Sequence, residues 1–272
     1  MTLRVPGAAD WQLFFQFADD EGWRIPQIER QLFESVWAHS ALVLEKGGQF
    51  CGLVTAVAHA RSGWIGNLIV PAELRGHGYG STLFKAALKM LQQQELQTVW
   101  LTASALGRPI YEKYGFVAID RIERWVSPAG ALRPESVEVI STSVAVLREA
   151  DQSTWGENRQ IFMDGIARIG QVYACGGATA LLQQGQELQV IGPWYTPPVG
   201  LSASRRLLQS LLSVSDPEKE VVIDLLTSSI VRPLLAEAGL ECVGENLLMV
   251  HGEASGIDRS QMVALASLGS VG

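Results

Sequence analysis

Gly63-Trp64-Ile65-Gly66-Asn67-Leu68-Ile69-Val70-Pro71, followed by Ala72-Glu73-Leu74-Arg75-Gly76-His77-Gly78-Tyr79-Gly80-Ser81, decides the fold. The first part is an apolar run that enters a proline, the pattern of a buried strand. From Ser81 onward the apolar residues Leu83, Ala87, Met90 and Leu91 return at helical spacing and mark one face of a helix. Between strand and helix stand Gly76, Gly78 and Gly80. Alternating glycines let the backbone approach a ligand and turn its N–H groups inward, while the helix N-terminus adds partial positive charge. The alternative is a tight turn that needs glycine only for its dihedrals; Arg75 beside the loop favours a cradle for phosphate. The spacing is neither the nucleoside-triphosphate loop, which ends in Gly-Lys-Ser or Gly-Lys-Thr, nor the dinucleotide fingerprint G-x-G-x-x-G.

Outward from this segment the periods alternate. Leu3 to Val5 reads as a strand, Ala9 to Phe17 as a helix, and a second helix ends near Ala38. Ala41 to Leu44 and Phe50 to Ala58 form a hairpin around Gly47-Gly48. Downstream, Val99 to Ala103 is a strand, Pro109 to Tyr114 a short helix with proline in its first turn, and Phe116 to Val126 a closing strand.

Arg75-x-x-Gly78-x-Gly80 after an apolar strand resembles the pyrophosphate motif of the GNAT superfamily of acyl-CoA-dependent N-acyltransferases. Ile110-Tyr111-Glu112-Lys113-Tyr114-Gly115-Phe116 is similar to the family's second hallmark, a tyrosine in a short helix ending in Gly-Phe. The resemblance runs from about Leu3 to Val126. It implies an α/β chain of the α+β type with a mixed sheet, and acetyl-CoA as co-substrate. Leu68, Ile69 and Val70 would pair through their backbone with the pantetheine arm, one N–H among them polarising the thioester carbonyl. The loop Arg75, Gly76, His77, Gly78, Tyr79, Gly80 and Ser81 would hold the pyrophosphate, and Tyr111 would protonate the departing thiolate. Ser104 stands where the family often has a cofactor-binding asparagine. Gly66 and Asn67 stand where many members carry an acidic base, so the amine would arrive already neutral, or Asp19, Asp20, Glu21 or, ranked first of these, His59 at the end of a neighbouring strand would serve through water; the alternative for His59 is a solvated or core histidine. Glu21 and Trp23, between the first two helices, suit a cationic amine acceptor or make a solvated loop with one packed tryptophan.

The chain then repeats itself. Leu101, Pro109, Gly115 and Val126 recur at Leu225, Pro233, Gly239 and Val250, and Gly66 and Pro71 at Gly192 and Pro197. Ser127 to Pro134, with two prolines and a glycine, reads as the connection. The expectation is therefore two tandem mixed-sheet GNAT-like units: residues 1–127 catalytic, 128–136 linker, 137–253 a degenerate copy and 254–272 a tail. Leu201, Ser202, Ser204 and Arg206 replace the loop residues in the copy. Trp194 and Tyr195 occupy the places of Leu68 and Ile69, to plug the lost groove or to line an acceptor cleft.

Composition is consistent with packed cores: of 272 residues, 47% are hydrophobic and 18% charged. A formal charge of −7 argues against a general nucleic-acid binder. No uncharged run offers a membrane span, and Met1 to Asp10 lacks the features of a secretory signal, so a cytoplasmic setting is expected. Cys51, Cys175 and Cys242 lie in apolar segments and read as buried thiols; scattered His and Cys residues predict no metal. Trp64, Trp100 and Trp125 are expected in the core. The leading expectation is an acetyl-CoA-dependent N-acetyltransferase acting on an amine of a small molecule or protein. The rival is a non-catalytic acyl-CoA sensor.

Overall fold

The computed structural model of the chain describes residues 1–131, 134, 141–254 and 256–269, with the backbone alone at residues 27 and 28. The expected linker, 128–136, thus lies partly outside the described residues, as do residues 137–140 and 270–272. The first half runs β1 (Thr2–Arg4), α1 (Ala8–Asp20), α2 (Gln27–Glu34), β2 (Ala41–Lys46), β3 (Gln49–Ala58), β4 (Ser62–Ile69), α3 (Tyr79–Gln92), β5 (Thr98–Ala103), α4 (Arg108–Glu112) and β6 (Val117–Ser127). The second half takes the same order: β7 (Ser141–Thr142), α5 (Val144–Trp155), α6 (Gln160–Ile166), β8 (Gly170–Cys175), β9 (Ala178–Gln184), β10 (Leu188–Tyr195), α7 (Leu201–Val214), β11 (Glu220–Leu226), α8 (Arg232–Glu237) and β12 (Glu241–Gly252). A further strand, β13 (Met262–Leu265), follows. The second helix stops at Glu34 rather than near Ala38, because Ser35 leaves helical dihedrals (φ −128, ψ −93).

The expectation of two sheets is corrected. Among the described residues the strands join in one mixed 13-stranded sheet of order β1-β2-β3-β4-β5-β12-β6-β11-β13-β10-β9-β8-β7. The closing strands are exchanged across its centre. β12, from the second half, lies antiparallel to β5 of the first, with Met249 opposite Leu101 and Gly252 opposite Thr98. β6, from the first half, lies antiparallel to β11 of the second, with Val222 opposite Val126. β6 and β12 pair with each other, Val117 facing Val250 at one end and Val126 facing Glu241 at the other. Two separate sheets would each have ended on an unpaired closing strand; exchange gives both strands two neighbours and satisfies their backbone groups.

The two faces of the sheet are covered differently. On one, α1 and α2 pack against α5 and α6 over a shared aromatic core that includes Trp11, Phe14, Phe33, Trp64, Trp100, Trp155 and Phe162. On the other, α3 buries Leu83, Phe84, Ala87, Leu88 and Leu91 over the first half, and α7 buries Leu207, Leu208, Leu211 and Leu212 over the second. Trp64, Trp100 and Trp125 are buried as expected. Of the cysteines only Cys51 is fully buried; Cys175 is half-buried and Cys242, on the outer part of β12, is exposed.

Candidate active site

β4 and β5 run parallel and pair only at Ser62–Thr98, Gly63–Val99 and Trp64–Trp100. Beyond Trp64 they part and open a wedge toward their C-terminal ends. The cause is visible on β4. Against β3, Leu53 faces Ile69 and Thr55 faces Gly66, so β4 carries one extra residue, and Asn67 takes a left-handed conformation (φ 51). Such a bulge re-aims the strand, and asparagine tolerates positive φ better than most residues. The bulge at Asn67 thus lies within the parted stretch, one position before the Leu68 to Val70 that the resemblance implied. A Gly-Asn pair inside an apolar strand was the sequence signal for it.

The glycine loop closes the wide end of the wedge. Gly76 (φ 80) and Gly78 (φ 79) are both left-handed, and Gly78 is the N-cap of α3. A Cβ placed on either would meet nothing within 4 Å, so the space in front of the helix N-terminus is open. The first N–H groups of α3, from Tyr79, Gly80 and Ser81, have no partner within the helix. Arg75 donates from Nε to the Val70 carbonyl (3.1 Å) and from its terminal nitrogen to Glu21 (2.6 Å). His77 stacks on Tyr79 with ring centroids 5.8 Å apart. Gly80 lies beside both Val70 and Ile110, its ideal Cβ 3.8 and 3.7 Å from their side-chain carbons, which brings loop, β4 and α4 together.

Tyr111 on α4 packs against Phe84 at 4.9 Å and Phe116 at 6.4 Å, on the α3 side of the sheet. Burial pushes its hydroxyl up to about 12, so it stays protonated across the neutral range. Gly107, at the turn into α4, leaves room for the ring: a Cβ there would fall 2.9 Å from the Tyr111 oxygen. Ser104 is exposed, and its Oγ accepts from the Gly107 N–H (3.3 Å), which leaves the hydroxyl proton available to donate.

The expected acceptor residues are only partly brought together. Glu21 reaches the glycine loop through Arg75. Trp23 is half-buried and packs edge-on against Phe14 at 6.5 Å, as a tryptophan of the shared core. A cleft of about 670 Å³ between α1 and α2 is lined by Gln12, Gln16, Asp19, Asp20, Arg30 and Glu34 among others, none of them on β4, β5 or α3. His59 does not belong to the site. β3 is antiparallel to β4, so its end lies beside the start of β4, with Ala58 opposite Gly63, at the closed end of the wedge. Its Nε2 is buried without a partner, and burial together with the Arg159 charge lowers its pKa to about 3, so it is a neutral packing residue beside Phe162. For Trp194 the acceptor-cleft alternative is corrected: it is fully buried in the core under α7, in the other half of the molecule.

The second half has the same wedge, filled. β10 and β11 are parallel only at Leu188–Glu220 to Val190–Val222. Past that point β13 lies antiparallel to both, Ala264 facing Trp194 on one side and Leu225 on the other. The stretch expected as a tail is therefore a strand of the sheet, because the parted edges of β10 and β11 offer it an unpaired ladder. Gly192 is required there: a Cβ would lie 2.0 Å from the Leu265 carbonyl. The connection into α7 is only Thr196–Gly200, and Leu201, Ser202, Ser204 and Arg206 are already helical. On the α5 side Asp151 pairs with Arg159 and accepts from the Tyr195 hydroxyl (both 2.6 Å), a buried cluster.

Residues 16–124 match the family model of the acetyltransferase (GNAT) domain. A Bacillus subtilis (strain 168) protein assigned provisionally as a [ribosomal protein bS18]-alanine N-acetyltransferase is 28% identical over 99 residues, which are 34% of this chain and 63% of that protein. The chain thus spans less than two thirds of that curated relative's length. Among solved structures, an acetyltransferase so assigned from Pyrococcus horikoshii superposes with a TM-score of 0.78 at 17% identity, over 99% of this chain and 95% of its own. A GCN5-related N-acetyltransferase from Sphaerobacter thermophilus does so with 0.67 at 16% identity, over 96% and 98%. At these identities the likeness shows a shared mixed α/β fold. Among the described residues no helix is long and apolar enough to cross a membrane, and no cluster of metal-ligating side chains occurs.

Proposed function

We propose that the chain is an acetyl-CoA-dependent N-acetyltransferase whose first half performs direct acetyl transfer to a primary amine, and whose second half is a duplicated, non-catalytic GNAT-like unit. The observation that carries this reading is the open wedge between β4 and β5, which leads to the glycine loop at the α3 N-terminus. The pantetheine arm would pair with the free edge of β4 at Leu68, Ile69 and Val70. The α3 N-terminus and Arg75 would hold the pyrophosphate, and Arg75 would exchange part of its bond to Glu21 for phosphate oxygen. No metal is invoked.

The Asn67 N–H at the bulge would donate to the thioester oxygen as it gains negative charge. The neutral amine attacks the carbonyl carbon, the C–N bond forms, and the C–S bond breaks. The proton shed by nitrogen balances the one gained by sulfur. With its pKa pushed up to about 12, Tyr111 serves first as a hydrogen-bond donor to the departing thiolate. Complete transfer from it to a thiolate of ordinary pKa, roughly 8.5, would be uphill. β4 and β5 carry no Asp or Glu, so the amine would arrive neutral or lose its proton through water. That same feature is what favours the second reading, an acyl-CoA sensor without catalysis.

A panel of small amines and N-terminal peptides with acetyl-CoA and a thiol reagent separates the two readings. The enzyme releases free CoA in an acceptor-dependent way; binding without such release supports the sensor. Calorimetry is expected to give one acetyl-CoA per chain, lost in Gly78→Trp, which fills the open space before α3. A stoichiometry of two, or binding unchanged by that substitution, would move the site elsewhere. The relative's alanine N-acetyltransferase assignment makes N-terminal peptides the first acceptors to try.

A further inference from the structure

The chain continues past β13 and crosses from the filled wedge to the open one. Ala266 and Leu268 pack on the shared aromatic core. The Leu268 carbonyl then accepts a hydrogen bond from the Thr102 hydroxyl on β5, and the Gly269 carbonyl accepts from the Asn67 N–H at 3.0 Å. Gly269 also lies against the Asn67 side chain, its ideal Cβ 3.5 Å from Oδ1. The segment therefore bridges both lips of the wedge through two consecutive carbonyls, with the second on the N–H at the bulge.

We propose that Ala266–Gly269 is a displaceable strap whose Gly269 carbonyl occupies the place of the thioester carbonyl, so that the acyl group of acyl-CoA must evict it to bind. The inference rests on the proposed role of the Asn67 N–H. A backbone N–H is one donor, and two carbonyls cannot both take it at good geometry. The geometry also says which part of the ligand competes. The Ala266 carbonyl is held by Gln183 (2.8 Å), and the Leu268 and Gly269 carbonyls engage Thr102 and Asn67, on β5 and β4 rather than on the glycine loop, so pyrophosphate binding is left free. CoA, which has no thioester carbonyl, need not evict the strap, whereas acetyl-CoA must. The device would keep the donor N–H satisfied in the empty protein, where it would otherwise be an unpaired backbone group at a left-handed residue.

The test compares acetyl-CoA and CoA by calorimetry on the full chain, on a chain ended after Ser267, which keeps β13, and on full-length Thr102→Val, which loses the hold on the Leu268 carbonyl. Removing the competing hydrogen bond is expected to tighten acetyl-CoA binding about three- to tenfold in the shortened chain, and at least about twofold in Thr102→Val. CoA binding is expected to stay within about twofold throughout. Amide hydrogen exchange gives a second readout that does not depend on the shortened chain folding well. The Asn67 N–H is expected to be protected in the ligand-free full chain, to exchange faster in Thr102→Val, and to regain protection with acetyl-CoA but not with CoA. Equal acetyl-CoA affinity in all three proteins, or CoA tightening as much as acetyl-CoA, overturns the strap. Failure of every form to bind either ligand overturns instead the proposed function on which it rests.

Discussion

A fragment ending at Ala131 contains both the glycine loop and Tyr111, and by sequence it is the whole catalytic unit. The exchanged strands predict that it will not stand alone. It lacks β12, which fills the position between β5 and β6 over the registers Leu247–Ala103 to Gly252–Thr98 and Glu241–Val126 to Val250–Val117. It also lacks β11, so β6 loses both neighbours. Leu248, Met249 and Val250 of β12 are 0%, 0% and 4% exposed in the intact chain. Fully burying such side chains contributes about 1.5–3 kcal/mol each, so these three alone account for roughly 5–9 kcal/mol. That is comparable with the whole stability of an ordinary domain, roughly 5–15 kcal/mol. The fragment is expected to show no cooperative thermal unfolding, poorly dispersed amide resonances and no acetyl-CoA binding by calorimetry. Mixing it with a fragment of residues 134–272 should restore all three, since the missing strands come from that partner. A monomeric fragment that melts within a few degrees of the intact chain and binds acetyl-CoA normally would show that β6 can fold back onto β5, and would refute the claim that exchange makes the halves interdependent.

Tyr111→Phe removes one hydroxyl from a packed ring, so acetyl-CoA affinity should hold while single-turnover acetyl transfer slows by roughly 10- to 100-fold; a change below about twofold would leave Tyr111 as a packing residue. Trp194→Ala should destabilise the protein by about 3–5 kcal/mol through the cavity left under α7, read from denaturant midpoints. Acceptor Michaelis constants of the molecules that remain folded should not change, because Trp194 is fully buried in the other half of the molecule. For His59 the folded pKa of about 3 lies below the ordinary value of 6.5. The unfolded chain therefore binds the extra proton first, and stability present above pH 6.5 is lost as pH falls toward 3 at up to about 1.4 kcal/mol per unit. Allowing for the part of the residue that water reaches, about 1–2 kcal/mol should be lost between pH 7 and 5. His59→Gln should flatten that dependence, and an unchanged pH profile would show that His59 does not carry it.

The local facts were legible in the sequence. Alternating glycines after an apolar strand, with helical spacing resuming at Leu83, gave the strand–loop–helix unit, and Pro109 with Gly115 bracketed the tyrosine helix. The recurrence of Leu101, Pro109, Gly115 and Val126 at Leu225, Pro233, Gly239 and Val250 marked the repeated order of elements. Each of these is a property of dihedrals and periodicity within a few residues, and such properties are written locally. What the sequence could not convey was which edge each strand would choose. β6 and β12 have closely similar patterns, and an apolar strand pairs with whichever free ladder the fold presents, so separate and exchanged sheets read alike. The same holds for the residues after Glu253: no periodicity distinguishes a tail from a four-residue strand, and only the parted edges of β10 and β11 make Met262–Leu265 one. For His59 the packed reading holds and the base reading does not, since proximity in sequence to β4 says nothing of which end of an antiparallel neighbour it occupies. Sequence by itself determined the strand, the glycine loop and the helix that follows it; the tertiary structure decided strand exchange, the filled second wedge and the carbonyl at Asn67, because hydrogen-bond partners along a sheet edge are set by long-range contacts.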